Sequence, residues 1–199
     1  MKIEIRDDSV VIDGYVNAVE RYSKVLRDEQ GSFVEKISTG AFQRAINRAK
    51  KVGNDIKVLL NHDYSKELTS TADSSTKLYE DNIGLRCRCE IRDKDVVEKA
   101  KNKKLVGWSF GFIALKEKRD NEEVQHRDVR ELELVEVSVL DDTKIPAYNG
   151  TSIETRAEIM EDLIELRYIN DEIEYEKTPK KQPNNLYEFE NRFLELRAN

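Results

Sequence analysis

Apolar and polar positions alternate through most of the first 150 residues, and helical periodicity interrupts the alternation twice. Residues 2–17 alternate in short runs (KIEI, VVIDGYV). They predict strands, because successive side chains of a strand point to opposite faces. Residues 18–35 are charged, contain Gly31 and read as a loop. Ser38 and Thr39 precede GAFQRAINRAKK, in which Phe42, Ala45, Ile46 and Ala49 share one helical face. A hydroxyl residue ahead of such a run predicts a helix start. In 56–62, IKVLLNH, a strand puts Ile56, Val58, Leu60 and His62 on one face. The polar stretch 63–76 reads as a long loop, functional or mobile.

A hairpin is expected over 77–91, turning at Asp81-Asn82-Ile83-Gly84. Residues 93–104 suit a short helix with Val96, Val97 and Ala100 inward. LVGWSFGFIAL at 105–115 is strongly β-forming, 116–127 reads as a charged loop, and DVRELELVEVSVL at 128–140 as a further strand. Pro146-Ala147-Tyr148 ends this region. From about Ser152 the pattern changes: Ile159, Leu163, Leu166 and Ile173 approach a heptad spacing in an acidic stretch, and LYEFENRFLELRAN follows TPKKQPNN. The division is therefore a β-rich domain, 1–150, and a helical C-terminal arm, 151–199. Isolated helices between hairpin-forming strands predict an α+β fold, with a mostly antiparallel or mixed sheet closed toward a β-barrel and helices at its periphery.

Composition narrows the function. Charged residues make up 37% of the chain against 38% hydrophobic, and the net charge is −6. That balance argues against general nucleic-acid binding, which needs clustered Lys and Arg. No apolar run approaches the ~18 residues of a membrane span, and MKIEIRDDSVV carries no signal-peptide stretch. A cytosolic protein is expected. Cys87 and Cys89 alternate with Arg86, Arg88 and Glu90 and read as small buried residues on a strand's inner face, neither a disulfide nor a metal site. No metal or cofactor is expected.

Three residues stand out chemically. Ser109 lies in Gly107-Trp108-Ser109-Phe110-Gly111. Strand parity turns Gly107, Ser109 and Gly111 one way, so two residues without side chains would flank the hydroxyl and clear room for a substrate backbone. The glycines equally suit a bulge or a close contact, with the serine incidental. The pentapeptide fits G-x-S-x-G, but a nucleophile elbow needs a sharp turn into a helix, and FGFIAL continues as strand. His62 ends an apolar strand face and could take the serine's proton. Glu136 is a carboxylate in the most apolar part of its strand, where an unpaired charge costs several kcal/mol or more (order of magnitude). An imidazole N–H, an arginine such as Arg130, or an exposed strand edge would each satisfy it.

Six segments, in order, resemble the HK97-type prohead (capsid maturation) protease family: ISTGAF at 37–42, LLNHD at 59–63, GLRCRCEI at 84–91, VGWSFGF at 106–112, LELVEVSVL at 132–140 and IPAYNGTSIETR at 145–156. The family is similar in fold to the herpesvirus assembly proteases. The resemblance implies a serine endopeptidase with Ser109 as nucleophile, His62 as base and Glu136 as third member, with His126 as rival because the herpesvirus enzymes use a second histidine there. It implies the phage scaffold protein, or a scaffolding segment of the major capsid protein, and the protease itself as substrates, inside an immature procapsid in the bacterial cytoplasm. Neither a nucleic-acid nor a membrane partner is implied. Departures from the family pattern are the absence of a glycine soon after His62 and a lengthened link, 141–145, before Pro146. The arm suits a propeptide or scaffold-binding segment removed by self-cleavage, and equally a solvated or self-associating helix. The alternative function is a non-catalytic assembly or scaffolding protein that keeps the fold.

Overall fold

The computed structural model describes residues 1–144, 164–169 and 173–178. Among these, twelve strands form two sheets flanked by two helices. The strands of the first sheet are β1 (Lys2–Ile5), β2 (Val10–Ala18), β7 (Lys77–Glu80), β8 (Gly84–Ile91) and β12 (Glu174–Lys177), in the order β12-β1-β2-β8-β7. The second contains β3 (Leu26–Asp28), β4 (Gly31–Ile37), β5 (Lys57–Leu60), β6 (Asp63–Ser70), β9 (Leu105–Arg119), β10 (Gln125–Asp141) and β11 (Glu165–Ile169). Its order is β11-β9-β10-β4-β3, with β5 also on β10 and β6 on β5. Most pairs are antiparallel; β1–β12, β10–β4 and β10–β5 are parallel. The mixed, mainly antiparallel α+β character matches expectation, and the arrangement is two sheets.

One apolar core joins them. Trp108, Phe110 and Phe112 of β9, Val137 and Val139 of β10, Ile12 of β2, and Cys87 and Cys89 of β8 all lie within it. The two thiols are buried and free, as their alternation with Arg86 and Arg88 implied.

Helix α1 (Ala41–Val52) buries Ala41, Phe42 and Ala45, and α2 (Lys94–Lys101) buries Val96, Val97 and Ala100. Asp93 caps α2 by accepting the Val96 N–H at 3.0 Å. The cap of α1 differs from the expected hydroxyl. Gly40 stands at that position with φ 82°, a left-handed conformation that suits glycine. The Glu80 carboxylate, at the end of β7, accepts the N–H groups of Gly40 (2.5 Å) and Gln43 (2.8 Å). Ser38 instead donates to Asp128 at 2.6 Å.

Three expected loops contain strands. Residues 18–35 hold β3 and most of β4, in which Phe33, Glu35 and Ile37 are buried in alternation. Residues 63–76 hold β6, an edge strand with no buried residue, so it carries no hydrophobic alternation to read. The charged 116–127 stretch is largely the end of β9 and the start of β10, a ribbon pairing Lys118 with Asp128.

The largest correction concerns the arm. Its described parts, 165–169 and 174–177, are strands, not helix. Backbone pairing and local packing override the heptad-like spacing there. Leu166 sits against the side-chain-free surface of Gly111, while Ile173 and Tyr175 pack on the core. The Tyr175 hydroxyl donates to the Leu105 carbonyl at 2.9 Å. These strands are built into both sheets, on β9 and β1. The rest of the arm and the 146–148 boundary lie outside the described residues.

Candidate active site

The site forms where β5 ends beside the centre of β10. The parallel pairing sets Lys57–Leu60 against Glu136–Val139. The chain then leaves the strand: Asn61 and His62 have φ values of 56° and 62°. A left-handed conformation costs roughly 1–2 kcal/mol per non-glycine residue. Hydrogen bonds hold the turn in place. The Asn61 N–H donates to the Val139 carbonyl (2.9 Å), Asn61 Oδ1 accepts the Asp141 N–H (3.0 Å), and the His62 N–H donates to Ser138 Oγ (3.1 Å). This turn, rather than simple strand parity, aims the imidazole.

Ser109 of β9 pairs directly with Ser138 of β10. Its Oγ lies 2.7 Å from His62 Nε2, and His62 Nδ1 lies 2.7 Å from Glu136 Oε1. The second carboxylate oxygen of Glu136 accepts the Ser138 hydroxyl at 2.5 Å. Glu136 and Ser109 are each 1% exposed. The buried carboxylate is thus partnered on both oxygens, by the imidazole and by Ser138, and not by Arg130. Arg130 donates to Asp128, and its carbonyl accepts from Arg44.

Gly111 makes this arrangement fit. A register shift in β10 between Leu134 and Glu136 sets Glu136 opposite Gly111. A Cβ on Gly111 would fall 2.7 Å from Glu136 Oε1 and 3.2 Å from Ile164 and Leu166 side-chain carbons. The glycine therefore clears room for the carboxylate and for β11, where the sequence suggested a path for a substrate backbone.

His126 is elsewhere. Its Nδ1 meets Asp120 Oδ2 at 2.8 Å in the β9–β10 turn, with Tyr22 edge-on at 5.2 Å. Arg127 is enclosed by the carboxylates of Glu35, Glu117 and Glu165.

Sequence reasoning missed four contributors. Asn61 and Ser138 shape the histidine turn; the E-x-S spacing of Glu136 and Ser138 on one strand face was the available signal for Ser138, and no pattern pointed to Asn61. Glu35 and Arg167 lie on the other side of Ser109. Arg167 Nε and Nη2 donate to Glu35 at 2.9 and 3.0 Å, and its carbonyl accepts the Ser109 hydroxyl at 2.7 Å. Glu35 carried the same signal as Glu136, a carboxylate between apolar neighbours on a strand face. Among the described residues no group of three or more His, Cys, Asp or Glu is placed to hold a metal ion, and no helix is long and apolar enough to cross a membrane.

A hydroxyl, an imidazole and a buried carboxylate joined in that order form the arrangement on which serine peptidases operate. The caudovirus prohead serine protease family matches residues 1–165, and the chain belongs to that family. No curated protein and no solved structure matches the chain.

Proposed function

We propose that the protein is a serine endopeptidase of procapsid maturation that cuts the phage scaffold protein, or a scaffolding segment of the major capsid protein, and itself. The observation that carries this reading is the unbroken series Ser109 Oγ–His62 Nε2 and His62 Nδ1–Glu136 Oε1, each at 2.7 Å. Ser109 Oγ attacks a peptide carbonyl and His62 takes its proton. The Oγ–C bond forms, the C–N bond breaks, and His62 returns the proton to the departing amine. Water then hydrolyses the acyl-serine with His62 again as base. Glu136 holds the proton on Nδ1, so that Nε2 is free to accept, and stabilises the imidazolium. Ser138 and the Asn61–His62 turn position this pair. The work takes place inside the immature procapsid in the host cytoplasm.

Co-expression with the cognate capsid and scaffold proteins tests the reading. Wild type is expected to yield shortened products and Ser109→Ala none. Unchanged processing by Ser109→Ala would remove the nucleophile assignment. Absence of processing by wild type, with normal shell assembly, would favour a non-catalytic assembly protein.

A further inference from the structure

Strand β9 has β10 on one side and β11 on the other. A sheet edge beside a nucleophile is where an extended peptide adds by main-chain pairing. Here residues 165–169 of the chain itself take that edge, with Arg167 opposite Phe110 and residue 168 opposite Ser109. The contact also competes with the base for the serine's proton. Arg167 O and His62 Nε2 both lie 2.7 Å from Ser109 Oγ. A hydroxyl has one proton to donate. While that proton serves the Arg167 carbonyl, it is not available to His62.

The side chain that β11 places there is specific. Arg167 spans both oxygens of Glu35, which is 4% exposed, and its guanidinium carbon lies 5.4 Å from the centre of the Phe112 ring. Arg127 is the other arginine on Glu35, at 2.7 Å, and it also binds Glu117 and Glu165. Removing β11 takes away Glu165 and Arg167. Glu35, nearly fully buried, then keeps Arg127 but loses both donors of Arg167, while Glu117 keeps Arg127 and Arg119. A planar guanidinium stacked on an aromatic ring and paired with a carboxylate is the complement of such a site.

Resting on the proteolytic reading above, we propose that Glu35 over Phe112 is the specificity site for a basic substrate side chain on the acyl side of the cleaved bond, and that Arg167 fills it in cis. Strand β11 thereby occupies the substrate's place until an extended peptide displaces it.

The test uses the full chain, as wild type and as Arg167→Ala, which loosens β11. Internally quenched peptides with the sequence ELRYI as their core carry Arg, Lys, Leu or Glu at the position of Arg167. We expect kcat/KM for Arg and Lys to exceed that for Leu and Glu about 10-fold or more. Ser109 should react with a fluorophosphonate about 10-fold faster in Arg167→Ala than in wild type. Adding Glu35→Gln should erase most of the basic preference; the peptide series stands alone if that variant fails to fold. Ser109-dependent cleavage with no basic preference overturns the specificity site and leaves the protease intact. Equal labelling of wild type and Arg167→Ala overturns the blocking role of β11. No Ser109-dependent labelling or cleavage in either chain removes the proteolytic reading and this inference with it.

Discussion

Ser138 donates its hydroxyl proton to Glu136 Oε2 at 2.5 Å, and the same hydroxyl accepts the backbone N–H of His62 at 3.1 Å. One side chain thus fixes both the carboxylate and the backbone of the histidine that the carboxylate binds. Ser138→Ala leaves a buried carboxylate oxygen and an N–H without this partner, at about 1–3 kcal/mol. We expect kcat to fall roughly 10- to 100-fold with KM nearly unchanged. A rise in KM with unchanged kcat would show that Ser138 acts on substrate binding instead.

Glu136 and His126 are separated by one pair of substitutions. Glu136→Gln keeps the shape but disturbs the tautomer of His62, and a loss of the order of 10⁴-fold in turnover is expected. His126→Ala touches an exposed contact with Asp120 and should process capsid proteins at the wild-type rate. The reverse result would exchange their roles.

Gly111→Ala places a methyl group 2.7 Å from Glu136 Oε1. Neither the carboxylate nor Leu166 can yield without losing its own packing, so destabilisation of about 1–3 kcal/mol is expected. Turnover should drop further than stability alone explains. Chemical denaturation alongside peptide hydrolysis would separate the two effects, and full activity in a folded Gly111→Ala would show that the carboxylate has slack.

Acid should loosen β11. Burial opposes ionisation of Glu165, but the hydrogen bonds and charges of Arg127 and Arg167 outweigh it and hold its carboxyl below the ordinary value of 4.5. A depressed carboxylate contributes stability that is fully present above the ordinary value and is lost as pH falls through the lower folded one. Amide exchange at residues 165–169, corrected for intrinsic rates, should therefore speed up relative to β10 between about pH 6 and pH 3. Constant relative protection would show that the arginines do not anchor the strand through Glu165.

Cys87 and Cys89 should resist alkylation while the protein is folded. Each is 0% exposed. The neighbouring Cys89 and then burial push the Cys87 thiol well above its ordinary range, and a thiol, unlike a thiolate, is a weak nucleophile. Mass spectrometry after iodoacetamide treatment at neutral pH should find neither modified until denaturant is added; ready modification would mean that β8 opens locally.

Elements with one buried face were legible in the sequence: the 77–91 hairpin, both helices, and the strands around Ser109 and Glu136. Strand β6 was not, because neither of its faces is buried. β11 was not, because its partner is fixed by a glycine more than fifty positions earlier, while the spacing of Leu166 with Leu163 and Ile173 suits a helix locally. Within the site, alternation along LELVEVSVL isolated Glu136 as a carboxylate that needed a partner. The partner's direction depended on two left-handed residues, Asn61 and His62, which no apolar pattern announces.

The cap of α1 has a consequence for folding. Its carboxylate comes from Glu80, at the end of a strand in the first sheet, while the helix packs on β10 of the second. The first turn of α1 is therefore completed only when the two sheets have met. Helicity at residues 41–44 reports long-range assembly of the protein rather than the local preference of its sequence.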